Sequence, residues 1–206
     1  MKNKKIIIGS RSSKLALIYA ERAKKEIIKN SNTKIEDIEI KKIITDGDKI
    51  QNIRLSESGG KGLFSKKIEE DLINKKIDIA VHALKDMTSQ ETAGLITECF
   101  LQRNDPREIL VSRDNIRIEE IKKNSIIGTS SLRREFQLKK IRQDVNYKLI
   151  RGNIDTRLKK LNDKFYDAII LSYAGIQSLD LINSITQIFS TSEIIPSVGQ
   201  GVIALQ

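Results

Sequence analysis

Several short stretches combine residue types that hold anions or stabilise charge. Ser10, Arg11, Ser12 and Ser13 follow an apolar run and open a helical pattern. Thr129, Ser130, Ser131, Arg133 and Arg134 repeat that arrangement further along the chain. A helix amino terminus offers free N–H groups and a partial positive charge, and small hydroxyl side chains add donors. Arginine adds a planar fork that pairs bidentately with carboxylate or phosphate. A serine before a helix is ordinarily just a cap. A cap with arginine beside it, occurring twice, points further, to anion binding. RGNIDTRL (151–158) adds Arg151 and Arg157, with Asn153 placed to cap the next helix. With Arg11, Arg133 and Arg134 this makes five guanidiniums near predicted strand ends. Such a set suits a ligand with several carboxylates, although alone it does not separate carboxylate from phosphate.

A different chemistry is implied by VHALKD (81–86), which places His82, Lys85 and Asp86 at the end of an apolar run. A carboxylate beside a lysine there can stabilise a cation or trade a proton. The same residues also fit a surface ion pair with a structural histidine. GGKGLF (59–64) fails as a Walker loop. That loop needs a glycine four residues before Gly-Lys and a Ser or Thr after the lysine, whereas position 55 is Leu and Gly62 follows Lys61. A flexible basic loop fits better, and the polar, aperiodic stretch 45–60 reads as a functional lid. TDGD (45–48) reads as a turn, and two aspartates do not make a metal site. One cysteine (Cys99) and one histidine exclude an intrachain disulfide and a Cys/His zinc cluster, so no metal is expected. Cys99, among apolar neighbours, reads as a buried thiol.

The elements that must position these residues alternate. Strand patterns at 4–8, 37–44, 77–81, 125–128, 146–150 and 167–172 are interleaved with helical ones at 12–29, 63–75, 131–142 and 154–162. In the helix over 131–142, Leu132, Phe136 and Ile141 read as the apolar residues. The alternation predicts α/β architecture with mostly parallel sheets, helices on both faces, and ligands beyond the carboxyl ends of the strands. KIIIGSRSSKLA is echoed by SIIGTSSLRRE, and IDIAVHALKD by YDAIILSYAG. Two similar lobes explain the echo: residues 1–101 with 196–206, and residues 102–195.

Composition sets the outer bounds. The 206 residues are 39% hydrophobic, with aromatics at only 4%, so the core must be aliphatic. Lys and Arg outnumber Asp and Glu by 37 to 27, a net charge of +10. The lysines are spread along the whole chain and stacking aromatics are scarce, which argues against nucleic acid. No apolar run approaches a membrane span, and the basic start MKNKKIIIGS is too short in apolar residues for a secretory signal. One unpaired cysteine fits a reducing compartment. The chain is read as soluble, cytoplasmic and monomeric, with no membrane or nucleic-acid partner.

GSRSSKLAL, GGKGLFSKKIEEDL, DIAVHALKD, IIGTSSLRR, RGNIDTRL, YDAIILSYAG and PSVGQGVIALQ, in that order, resemble the hydroxymethylbilane synthase (porphobilinogen deaminase) family over nearly the whole chain. The resemblance implies a transferase of porphyrin and haem biosynthesis. Such an enzyme joins porphobilinogen molecules head to tail, with loss of ammonia, into a linear tetrapyrrole. It also implies two lobes like those of periplasmic binding proteins. By match to VHALKD, Asp86 is the catalytic carboxylate, set near pyrrole N–H groups. By match, Arg11, Ser13, Lys85, Thr129, Ser130, Arg133, Arg134, Arg151 and Arg157 bind substrate or cofactor carboxylates. Lys61 and Phe64 belong to a mobile loop, and Gln200 to the return between lobes. The family usually has Ser where this chain has Ala83, and Pro two residues after the aspartate, where this chain has Thr88. The resemblance further implies a dipyrromethane cofactor carried on a cysteine of a third, smaller domain. These motifs end before that domain, and Cys99 is not in its Gly-rich motif. Turnover by this chain is therefore the open expectation, and a two-lobed anion-binding module without turnover is the alternative.

Overall fold

The computed structural model describes residues 5–49 and 62–206. In chain order the strands are β1 Ile6–Arg11, β2 Ile38–Ile43, β3 Ile79–Ala83, β4 Cys99–Phe100, β5 Glu108–Ser112, β6 Ile126–Gly128, β7 Asn146–Lys148, β8 Ala168–Ser172, β9 Gln187–Ile188 and β10 Ile203–Leu205. The α-helices are α1 Lys14–Lys29, α2 Asp46–Lys49, α3 Lys66–Ile73, α4 Leu132–Ile141, α5 Ile154–Asn162 and α6 Tyr173–Ser178. They form two units. Described residues up to 103, together with 202–206, make the first, and 104–201 the second. The return to the first unit therefore falls after 201 rather than at 196. Gln200 Nε2 donates to the Pro106 carbonyl at 2.6 Å and Asn104 N to the Gly201 carbonyl at 2.8 Å, which ties 196–201 to the second unit.

Each unit is built on one five-stranded sheet, ordered β2-β1-β3-β10-β4 in the first and β7-β6-β8-β5-β9 in the second. In the first, β1 pairs in parallel with β2 and β3, and β10 runs antiparallel to β3 and β4. In the second, β6 pairs in parallel with β7 and β8, and β5 runs antiparallel to β8 and β9. One strand per sheet is thus reversed, and it is the strand that follows a crossing of the chain. The sequence echo corresponds to this shared strand order.

Alternating side chains on buried strands need cover on both faces. Ile8 and Val81 pack with Tyr19, Ala20 and Ala23 of α1. Ile43, Ile77 and Ala80 pack with Ile68 of α3 on the other side. In the second unit, Leu138 of α4 joins Leu110, Ile127 and Ile170. Leu161 of α5 joins Ile109, Ile150 and Ile169. The expected two α/β lobes, with helices on both faces of each sheet, are the observed architecture.

The burial expected for Cys99 is corrected, and the apolar residues named on α4 do not mark its inward face. On α4, Leu132 and Phe136 are 56% and 65% exposed, and Ile141 is exposed as well. The inward residues are Leu138 and, four positions earlier, Arg134. An arginine takes a core-facing position because a buried carboxylate, Glu108, meets it there. Cys99 is exposed, because β4 is a two-residue edge strand with both side chains open to solvent.

The orientation of α4 gives a direct test by urea unfolding. Leu138→Ala should destabilise the protein by about 2–5 kcal/mol. Phe136→Ala should stay within about 0.5 kcal/mol. The opposite ranking would mean that α4 faces the other way.

Candidate functional site

In the first unit the site grows from the carboxyl ends of β1 and β3. Ser13 caps α1, its Oγ accepting from Ala16 N at 3.3 Å, and the buried Ser10 hydroxyl donates to the Ala16 carbonyl at 3.0 Å. These hydroxyls fix the turn between strand and helix. Arg11, the last residue of β1, lies over the Phe64 ring, its Cζ 4.0 Å from the centroid. Its Nη2 donates to Asp48 Oδ1, and its Nη1 lies 3.7 Å from Asp86 Oδ2. Asp48 Oδ2 accepts from the Thr45 hydroxyl at 2.8 Å and the Thr45 backbone N–H at 3.2 Å. Burial alone would raise the Asp48 carboxyl. The Arg11 and Thr45 contacts outweigh it and hold the pKa below its ordinary value. Phe64 can lie there because position 47 is glycine: a Cβ at Gly47 would come within 2.3 Å of the ring.

Asp86 closes a single 3-10 turn, Leu84–Asp86, directly after β3, and its carboxylate is partly exposed. Lys85 lies half-buried in the same turn. Arg11, Ser13, Tyr19, Phe64, His82 and Asp86 line a cavity of about 50 Å³. His82 faces inward, its Nε2 3.2 Å from Gln206 Oε1, and burial lowers its pKa despite Glu69, Gln206 and Asp86. A neutral, buried imidazole leaves Asp86 as the cavity's carboxylate and Arg11 as its cation. An aromatic face, a carboxylate and a guanidinium can hold a flat ring that becomes cationic.

The second unit presents the arginine-rich surface. Thr129 is buried, and its hydroxyl accepts from Ser131 N at 3.2 Å, while Ser131 caps α4 by accepting from Arg134 N at 3.4 Å. Ser130 is half-buried between them. Arg133 Nη2 donates to Glu108 Oε1 at 2.5 Å and Arg134 Nη2 to Glu108 Oε2 at 2.7 Å. Arg134 is buried and also donates to the Ile170 carbonyl at 3.0 Å. Arg151 is buried, and its carbonyl accepts from Lys160 Nζ at 3.1 Å. Arg157 Nε donates to the Gly152 carbonyl at 2.8 Å, across a turn in which Gly152 has φ +111°. That backbone conformation favours glycine. Asn153 occupies the N-cap of α5, but its side chain makes no capping hydrogen bond.

The structure thus brings Arg11, Ser13, Phe64, Lys85 and Asp86 together in one unit, and Thr129, Ser130, Arg133, Arg134, Arg151, Arg157 and Gln200 in the other. Lys61 and residues 50–60 of the expected lid lie outside the described residues. Two acidic residues escaped the sequence reading. Asp48 was assigned to a turn, and its partner Arg11 stands 37 positions away, so local spacing carries no trace of the pair. Glu108 left one signal, an acid opening the apolar run Ile109–Val111.

A family model described as porphobilinogen deaminase, dipyromethane cofactor binding domain, matches residues 6–206. The chain belongs to the porphobilinogen deaminase family. It is similar to the porphobilinogen deaminase of Bacillus subtilis, 45% identical over 202 residues that cover 98% of this chain and 64% of that protein. Likewise, the Sulfurimonas denitrificans porphobilinogen deaminase is 42% identical over 205 residues, covering 98% of this chain and 65% of that protein. The chain therefore spans slightly less than two thirds of the length of these relatives. Among solved structures, it is similar to a Bacillus subtilis lipoprotein at a TM-score of 0.56 and 12% identity, covering 100% of this chain and 85% of the other. A substrate-binding domain from Streptococcus pneumoniae gives a TM-score of 0.54 at 16% identity, covering 98% and 84%. These two likenesses concern the fold alone.

The matched domain is the one that binds dipyrromethane in porphobilinogen deaminases. The donor set fits such a group. Guanidiniums suit its carboxylates, and the Nε atoms of Arg11 and Arg134 are buried with no acceptor among the described residues. Cys99, the chain's one cysteine, stands apart from these residues on β4. Among the described residues no helix is long and apolar enough to cross a membrane, and no group of three metal-ligating side chains occurs.

Burial of His82 sets a pH dependence. Its folded pKa lies below the ordinary value of 6.5, so below that pH the unfolded chain takes up a proton that the native state refuses. Stability from this group is therefore complete above 6.5 and falls as pH drops below it. Urea midpoints measured at about pH 7.5 and about pH 5.5 should differ less in His82→Gln than in the parent protein. An equal difference in both would show that His82 does not contribute.

Proposed function

We propose that this chain carries the surface on which porphobilinogen is deaminated and joined to a growing pyrrole chain, the hydroxymethylbilane synthase reaction. The observation that carries the reading is Asp86, held at the end of β3 with Arg11 3.7 Å away in a cavity walled by Phe64. In the reaction the aminomethyl C–N bond of porphobilinogen breaks and ammonia leaves. Electrons from the pyrrole nitrogen fill the gap, and the ring becomes a cation. A carboxylate facing the pyrrole N–H stabilises that charge, and does so more strongly at reduced dielectric than in water. Attack by a pyrrole α-carbon then forms the new C–C bond, and the α-proton is lost. Dipyrromethane, when bound, supplies the first such α-carbon.

The other residues bind and orient. Arg11 is held between Asp48 and Asp86, and gives the cavity a positive charge for a substituent carboxylate. Phe64 gives the ring a flat surface. Ser13, Lys85, Thr129, Ser130, Arg133, Arg151 and Arg157 supply the charge and donors that acetate and propionate groups require, Arg134 adds its positive charge from beneath, and Gln200 fixes the backbone near Pro106. Under this reading the protein acts in the cytoplasm as a monomer, on a small-molecule substrate.

The test is incubation of the protein with porphobilinogen, following substrate loss by colour reaction and tetrapyrrole after acid oxidation. Asp86→Asn should slow consumption by about 100-fold or more while porphobilinogen binding by calorimetry changes little. Consumption without dependence on Asp86 would refute its role. Binding with no consumption in the parent chain would favour the anion-binding module.

A further inference from the structure

Glu108 is fully buried, yet it opens a strand whose next three residues are apolar. Its two oxygens are divided between consecutive guanidiniums. Oε1 accepts from Arg133 at 2.5 Å and Oε2 from Arg134 at 2.7 Å. Neighbouring residues on a helix point about 100° apart, so one contact rarely serves both. Here a single carboxylate reaches the two arginines of the first turn of α4. Each arginine has a second tether, the Ile195 carbonyl for Arg133 and the Ile170 carbonyl for Arg134. The outcome differs for the two. Arg134 is 9% exposed in its side chain, whereas Arg133 stays 30% exposed.

A buried ion pair is weak evidence for stability, because well-packed apolar residues often serve as well. Burial alone would raise the Glu108 carboxyl, but Arg134 and Arg133 outweigh it and keep the pKa below its ordinary value. Its charge is therefore present wherever a ligand carboxylate is charged. A free arginine would lose rotamer freedom on gripping a carboxylate, whereas one already fixed loses little.

We propose that Glu108 is a positioning residue. It holds Arg133, with Arg134 as the buried anchor, so that the partly exposed guanidinium is oriented in advance for a carboxylate of the pyrrole ligand. The ligand class rests on the function proposed above, while the fixing of Arg133 does not.

Two measurements separate these layers. The first uses no ligand. In ¹⁵N spectra of the arginine side chains, Arg133 should show restricted rotation in the parent protein and averaged signals in Glu108→Gln. Averaged Arg133 signals in the parent protein would overturn the proposal. The second is porphobilinogen affinity by calorimetry, which should fall about tenfold in Glu108→Gln, with little further loss on adding Arg133→Gln. Unchanged or tighter binding in folded Glu108→Gln would overturn the proposal, the latter by making Glu108 a competitor for Arg133. Additive losses in the double variant would also overturn it, because Glu108 would then act only on the fold. If Glu108→Gln does not fold, Glu108→Asp keeps the charge but retracts it. It should weaken binding and loosen Arg133 at an unchanged melting temperature, and normal binding with a fixed Arg133 would refute the proposal. Restricted Arg133 in a parent protein that binds no porphobilinogen would leave positioning intact and count against the proposed ligand.

Discussion

Parallel pairing of three strands in each sheet is the constraint on which the rest depends. A parallel pair cannot be closed by a tight turn, so the chain must cross through a helix and return. The β1 to β2 and β6 to β7 connections do this through α1 and α4, and the parallel pairings leave the carboxyl ends of β1 and β3, and of β6, β7 and β8, on one edge of their own sheet. Arg11, Asp86, Thr129 and Arg151 stand at or just beyond those ends. The site residues are therefore grouped by topology before any specific contact is made.

That grouping was legible in the sequence because it rests on local signals. Apolar runs, a glycine or hydroxyl residue after each, and a helical period next are all short-range patterns. What was not legible is long-range. The outward face of α4 depends on Glu108, 26 positions before Arg134, and a pattern counting apolar residues on one helix cannot include that partner. The exposure of Cys99 depends on β4 being the edge of its sheet, which is fixed by the return of β10 at the chain's other end. Asn153 has the extended backbone of an N-cap, yet its side chain makes no capping hydrogen bond, and nothing in the structure explains that. The family resemblance named Asp86 and the arginines as candidates, but had nothing to say about the carboxylates that hold those arginines in place.

Those carboxylates answer a problem created by clustering cations. Guanidiniums at adjacent strand ends repel one another and, if long and free, spread over many rotamers. In the first unit Asp48 takes one Arg11 nitrogen and is itself steadied by Thr45. In the second, Glu108 takes one nitrogen from each of two arginines. Both carboxylates have pKa values held below their ordinary range, Asp48 by Arg11 and Thr45 and Glu108 by its two arginines, each against the opposing effect of burial.

The two units nevertheless use the arrangement differently. Arg11 lies between the half-buried Asp48 and the more exposed Asp86, and stacks on Phe64. Asp48 takes the Nη2 edge of the guanidinium, while Asp86 stands 3.7 Å from Nη1, beyond hydrogen-bond length. In the proposed reaction a closer pair would neutralise Asp86 and blunt its attraction for a developing cation. A wholly absent Arg11 would leave the cavity without a cation for a substituent carboxylate. Sharing Arg11 meets both needs, and it requires Asp48, which no catalytic motif would reveal. In the second unit the carboxylate beside Arg133 is Glu108, which is fully buried where Asp86 is partly exposed. That unit's surface is suited to gripping anions, and the first unit's cavity to stabilising a positive charge. The same strand order thus carries a different electrostatic arrangement in each unit.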